Sequence, residues 1–159
     1  MGEQILWGSL FLGWCIVLHV TILAFSIPMV VRLVESAKRW SSSGLLNVMV
    51  ILMMTTSLVF SHTLQVWGWA GFFLRQRALE TWNEAIYFSL VTYTSLGYGD
   101  VVVGPAHRIF AAFGSVTGLL AFGLSTAVLV AVMTQILRDL VPGFSNQSSG
   151  EKSRARGAP

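Results

Sequence analysis

The sequence predicts an all-α membrane protein with three membrane-crossing helices and one shorter helix that enters the bilayer and turns back. Of its 159 residues, 54% are hydrophobic and 11% charged, and the mean hydropathy is +0.69, as in chains that fold within lipid. Residues 4–31, 40–74 and 109–137 contain no Asp, Glu, Lys or Arg. Each exceeds the roughly 20 helical residues that cross a hydrocarbon core about 30 Å thick. A fourth uncharged stretch, 85–99, is too short. A helix over 82–94 would measure roughly 20 Å at 1.5 Å per residue, enough to enter a bilayer but not to cross it.

The first element, residues 1–34, lacks the basic leader and small-residue cleavage site of a signal peptide, and its apolar run is longer, so it reads as a retained helix. The single cysteine, Cys15, lies within it, which leaves neither a disulfide framework nor a cysteine metal site in one chain. The second span occupies residues 40–74. His62 there, and His19 in the first span, are costly in hydrocarbon unless partnered. A hydrogen bond to a neighbouring helix is the preferred reading of both, ahead of a pH sensor. Trp7, Trp67 and Trp69 read as interfacial anchors.

Residues 75–105 hold the short helix and a loop. Thr81-Trp82-Asn83-Glu84 has the form of a capping box, in which the threonine hydroxyl accepts from the glutamate amide, and it starts the helix at Trp82. The third span lies in residues 106–141 and is terminated by Pro142-Gly143. Residues 142–159 are rich in Ser, Gly and basic side chains and are expected to be a disordered tail.

The net charge is +3. Arg32, Lys38 and Arg39 separate the first two spans, and Lys152, Arg154 and Arg156 follow the third. The positive-inside rule places both groups in the cytoplasm and the N-terminus outside; Arg75, Arg77 and Arg108 oppose this trend. The basic residues read as anchors beside anionic membrane lipid, and nucleic-acid binding would need more of them.

The loop Thr94-Ser95-Leu96-Gly97-Tyr98-Gly99-Asp100 can do specific chemistry. A bare cation needs oxygen ligands in place of its water shell, and inward-facing backbone carbonyls can provide them. Successive carbonyls of an extended strand point opposite ways. Bringing them to one side needs alternate residues with positive φ, which Gly97 and Gly99 adopt without steric cost. Ser95, Leu96, Gly97 and Tyr98 then offer a ladder of carbonyl oxygens, with the Ser95 hydroxyl as an additional ligand. The short helix directs its negative dipole end at the same ion.

Through Thr92-Tyr93-Thr94-Ser95-Leu96-Gly97-Tyr98-Gly99-Asp100, the chain resembles the potassium-channel pore-loop superfamily, whose signature is Thr-Val-Gly-Tyr-Gly-Asp. It looks like a small prokaryotic subunit with two pore-forming spans and one extra helix in front. The resemblance implies that 40–74 is the outer helix, 82–94 the pore helix, the loop a selectivity filter and 106–141 the inner helix. It also implies a homotetramer in the plasma membrane, with K+ as the transported ion and no other cofactor. Two positions depart from the family: Ser95 and Leu96 stand where threonine and valine are usual. Serine lacks the methyl that restricts the threonine rotamer.

The resemblance also implies that Tyr87 and Thr92 support the filter, with a hydrogen bond from the Tyr87 hydroxyl to Asp100, a packing role for the Tyr87 ring being the alternative. In the inner helix Gly114 and Gly118 form a small-xxx-small pair suited to close helix packing. Gly118 also lies near the place where the family's inner helix bends. Gly118, Phe122, Thr126 and Leu129 share a stripe assigned to a water-filled cavity, with a neighbouring subunit as the alternative facing of Phe122 and Thr126.

No span repeats basic residues at every third position, as a voltage sensor would. The tail is too short for a regulatory domain, which leaves a leak-like pore or one gated by lipid, tension or pH. No nucleophile, metal-binding helix or paired-carboxylate motif of a membrane enzyme is present. The alternatives within the resemblance are a poorly selective monovalent cation channel and a non-conducting accessory subunit.

Overall fold

Long uncharged stretches become long helices because a backbone in lipid must satisfy its own hydrogen bonds. In a computed structural model, residues 2–37 and 43–140 are described. They form α1 (Gly2–Ala37), α2 (Ser43–Arg75), α3 (Trp82–Tyr93) and α4 (Arg108–Leu140), with no strand among the described residues. Helices α1, α2 and α4 are each long and apolar enough to cross a membrane. At 12 residues, α3 is about 18 Å long and is not. Lys38, Arg39, Lys152, Arg154, Arg156, Pro142-Gly143 and the proposed tail lie outside the described residues.

The connection into α3 is made by backbone chemistry. Helix α2 stops where Arg77 takes φ 54°, and the Arg77 and Ala78 N–H groups donate to Leu74 O at 2.9 Å and Phe73 O at 2.9 Å. This paired closure of a helix C-terminus satisfies carbonyls that would otherwise be orphaned. Helix α3 then begins at the expected cap, with Thr81 Oγ1 accepting from the Glu84 N–H at 3.3 Å.

Between helices in lipid, apolar burial alone gives little preference for one partner, so close packing and polar contacts decide the arrangement. Phe110 at the start of α4 stacks on Phe72 at 4.0 Å and meets Trp69 at 4.9 Å and Phe73 at 5.7 Å. Phe11 of α1 joins the cluster with its ring 4.7 Å from Trp69. A side chain at Gly8 of α1 would overlap the Phe113 ring on α4, so glycine is what lets these two helices meet. Helix α1 therefore packs against both α2 and α4.

Trp69 corrects one expectation. It is 1% exposed and belongs to the core, whereas Trp7 and Trp67 are exposed as interfacial residues would be. Trp67 and Trp69 are two positions apart, about 200° around a helix, so one faces out when the other faces in.

A cavity of about 220 Å³ lined by Trp7, Phe72, Gln76, His107 and Phe110 marks where the start of α1, the end of α2 and the start of α4 come together.

Candidate functional site

Helix α3 buries Ala85, Phe88, Ser89, Val91 and Tyr93 against its neighbours and hands the chain directly into the loop. The Ser95 N–H donates to Thr92 O at 2.9 Å and the Leu96 N–H to Val91 O at 2.9 Å. This is the same closure that ends α2. It needs a left-handed residue at its centre, and Ser95 has φ 59°. Sequence reasoning assigned positive φ to Gly97 and Gly99, which have φ 57° and 78°, and missed Ser95. The signal was its position just past the cap of α3. Left-handed geometry costs a non-glycine residue about 1–2 kcal/mol, which the two capping bonds offset.

Positive φ thus falls on residues 95, 97 and 99 and on neither Leu96 nor Tyr98. Alternating handedness turns successive peptide planes so that their carbonyls can share one side, which a uniform strand cannot do. The loop begins in register with the carboxyl end of α3, where the helix dipole is negative.

At the other end of the loop the Tyr87 hydroxyl donates to Asp100 Oδ2 at 2.6 Å, the contact expected from the sequence. The Val101 N–H donates to Asp100 Oδ1 at 3.0 Å. The Tyr87 hydroxyl is the main cause holding the Asp100 carboxyl below the usual carboxylate range, with the Val101 N–H acting in the same direction. A cavity of about 180 Å³ lies behind the loop, lined by Tyr87, Val91, Thr92, Gly97 and Asp100 among others.

The charged form of Asp100 is favoured by this bond. The brace is therefore complete above the ordinary carboxylate pKa and is lost as pH falls through the lowered value. Tyr87→Phe is expected to move acid inhibition of ion flux to higher pH and to speed inactivation. Flux against external pH checks it, and an unmoved midpoint would dismiss the brace.

Helix α4 closes the site from behind. Ser115 Oγ donates to Thr92 O at 2.8 Å, so Thr92 contributes a carbonyl on the α4 side, while its methyl lies where a Cβ at Gly114 would be 3.4 Å away. A Cβ at Gly118 would overlap the Tyr93 carbonyl oxygen, which makes Gly118 the point of closest approach between α4 and α3. Phe122 is 41% exposed, with its ring 4.6 Å from His62 and 5.7 Å from Tyr93. Thr126 is exposed and Leu129 half-buried. The stripe assigned to a cavity is therefore divided: Gly118 and Phe122 touch α2 and α3 of the same chain, while Thr126 faces outward.

His62 and His19 both have hydrogen-bond partners on other helices, as their cost in hydrocarbon requires: His62 meets Tyr93 and Ser125, and His19 meets Ser61, Gln65 and Ser125.

A family model described as an ion channel matches residues 48–135, more than half of the chain and a span that includes most of α2, all of α3, the loop and most of α4. No curated protein and no solved structure matches significantly. With a half-length helix leading into a loop of alternating handedness between two long apolar helices, the chain belongs to the pore-loop, potassium-type ion channel superfamily.

Proposed function

We propose that the chain is one subunit of a homotetrameric, potassium-selective channel that conducts K+ passively down its gradient. The observation that carries this reading is the alternation of positive φ at Ser95, Gly97 and Gly99, which suits a ladder of carbonyls to one axis. One chain offers one wall of such a ladder, and a cation needs oxygens all round. Leu96 and Tyr98 are 55% and 67% exposed in the single subunit, and neighbouring copies around a central axis would cover them.

In this reading Thr94 through Asp100 form the filter. Ser95, Leu96, Gly97 and Tyr98 ligate K+ through their carbonyls, and the Ser95 hydroxyl adds a ligand at the inner end. Tyr87 and Thr92 brace it, Thr126 and Leu129 lie toward the inner cavity, and Gly118 and Phe122 pack against α2 and α3. Residues 1–34 are an additional helix, 40–74 the outer helix, 75–105 the pore helix and filter, 106–141 the inner helix and 142–159 a cytoplasmic tail. The start of α1 shares an end of the molecule with the start of α4, in keeping with an external N-terminus in a plasma membrane. The lipid-facing surface is the apolar exterior of the three long helices. A second reading, a poorly selective monovalent cation channel, is favoured by serine and leucine at positions 95 and 96, where the family has threonine and valine.

Purified protein in liposomes is expected to pass K+ far faster than Na+, with block by barium, and to run at the mass of four copies in native mass spectrometry. Equal fluxes would select the second reading. A monomer or dimer without flux would overturn both.

A further inference from the structure

Five polar side chains from α1, α2 and α4 meet in the otherwise apolar interior, and their chain of contacts ends on a residue of α3. His19, Ser61 and Gln65 are fully buried, Ser125 and Tyr93 nearly so. Gln65 Nε2 lies 3.3 Å from the Ser61 carbonyl oxygen and 3.1 Å from His19 Nδ1, which also meets Ser61 Oγ at 2.8 Å. His19 Nε2 lies 3.3 Å from Ser125 Oγ, which is 2.9 Å from His62 Nε2. His62 Nδ1 in turn lies 2.8 Å from the Tyr93 phenol oxygen. One chain of contacts runs from Gln65 through His19, Ser125 and His62 to Tyr93, its direction set by the tautomers of the two rings.

Tyr93 is the last residue of α3, two positions before Ser95. It is held at both ends, its phenol by His62 and its carbonyl against Gly118. The His62 ring is itself held, packed 4.6 Å from Phe122 and 5.2 Å from His19. The carboxyl end of α3 cannot turn or slide without breaking the His62 bond, and the loop starts from that end.

We infer that His62 is a positioning residue for ion permeation: it clamps the Tyr93 phenol, and through Ser125 and His19 it makes α1 part of the framework that holds residues 95–100 in conducting geometry. The inference rests on the proposal that this loop is the permeation path. It gives α1 a role that neither a peripheral packing helix nor a groove filler would have.

The test is single-channel recording of the full-length protein with Tyr93→Phe, His62→Leu, their double variant, His62→Asn and His19→Leu, each checked for assembly and thermal midpoint. Tyr93→Phe keeps the ring and removes only the hydroxyl. Loss of one neutral hydrogen bond is a change of about fivefold in an equilibrium, from about 1 kcal/mol. Tyr93→Phe and His62→Leu are each expected to shorten open bursts by about fivefold or more, with no further loss in the double variant. His62→Asn, whose side-chain amide can donate or accept in place of Nδ1, is expected to restore them, and His19→Leu to give a smaller change of the same sign. Wild-type bursts in assembled variants of lowered thermal midpoint would overturn the inference and leave a structural role only. Burst length is read in any conducting pore, so a wild type that conducts without preferring K+ would count against potassium selectivity alone. A silent wild type would overturn the permeation reading and this inference with it.

Discussion

Gly118→Ala is expected to lower the thermal midpoint of the assembled protein by roughly 3–10 °C or to prevent assembly, while Gly114→Ala leaves both unchanged or slightly improved. The two glycines sit one turn apart on α4, and the difference lies in what each faces. At Gly118 a methyl would overlap the backbone oxygen of Tyr93. That oxygen cannot swing aside, because the Thr94 and Ser95 N–H groups beyond it are bonded to Leu90 O and Thr92 O. Helix α4 would have to back away and break the Ser115 bond to Thr92. Overpacking of this kind costs about 1–3 kcal/mol or more.

At Gly114 the new methyl would lie 3.4 Å from Thr92 Cγ2 and 3.8 Å from the Trp69 ring, which is ordinary contact. Alanine also favours a helix over glycine by about 0.5–1 kcal/mol. Thermal unfolding and native mass spectrometry of the two variants check the contrast. A Gly118→Ala protein that assembles with an unchanged midpoint and alters only open probability would make Gly118 a hinge and not a packing site.

Gly97→Ala is expected to reduce K+ flux at least a hundredfold while the protein still assembles. No atom lies within 4 Å of the position a Cβ would take, so within the subunit the penalty is conformational. A left-handed non-glycine residue costs about 1–2 kcal/mol, and in the proposed tetramer its four copies amount to roughly 4–8 kcal/mol per pore. The one bond from the Gly97 N–H to Val91 O, at 3.3 Å, is longer than the paired bonds that close α3 at Ser95, so the backbone is expected to turn a carbonyl out of the ladder. Gly104→Ala is the matched control: it too has open space, but its φ is not positive, so flux is expected at the wild-type level. Equal flux from Gly97→Ala and wild type, in liposomes loaded identically, would show that the handedness of the loop does not matter to conduction.

Much of the architecture was legible because it follows from local rules. The uncharged stretches gave the helices, and Thr81-Trp82-Asn83-Glu84 gave the start of α3. The bond from Tyr87 to Asp100 came from the resemblance to the family, in which this aspartate is often tied to the pore helix. What was hidden depends on which faces meet. A polar residue in a span announces that it needs a partner, but nothing in the sequence says that His62 pairs with Tyr93 and Ser125, or His19 with Ser61 and Gln65. Gly114 and Gly118 look alike until the Tyr93 carbonyl is placed against one of them. Ser95 escaped notice because a left-handed serine is an exception to composition rules, and only the closing bonds of α3 make it necessary. The packing of α1 on α4 through Gly8 and Phe113 was hidden too, since an all-round apolar helix does not declare which side faces protein.

In the proposed channel the loop 94–100, repeated around an axis, selects K+ by its backbone oxygens. The measurement closest to this is the reversal potential of the wild-type channel in a planar bilayer with K+ on one side and equal Na+ on the other. A potential displaced far from zero, in the direction of K+ leaving its compartment, is the predicted result. A reversal at zero with clear single-channel openings would contradict it.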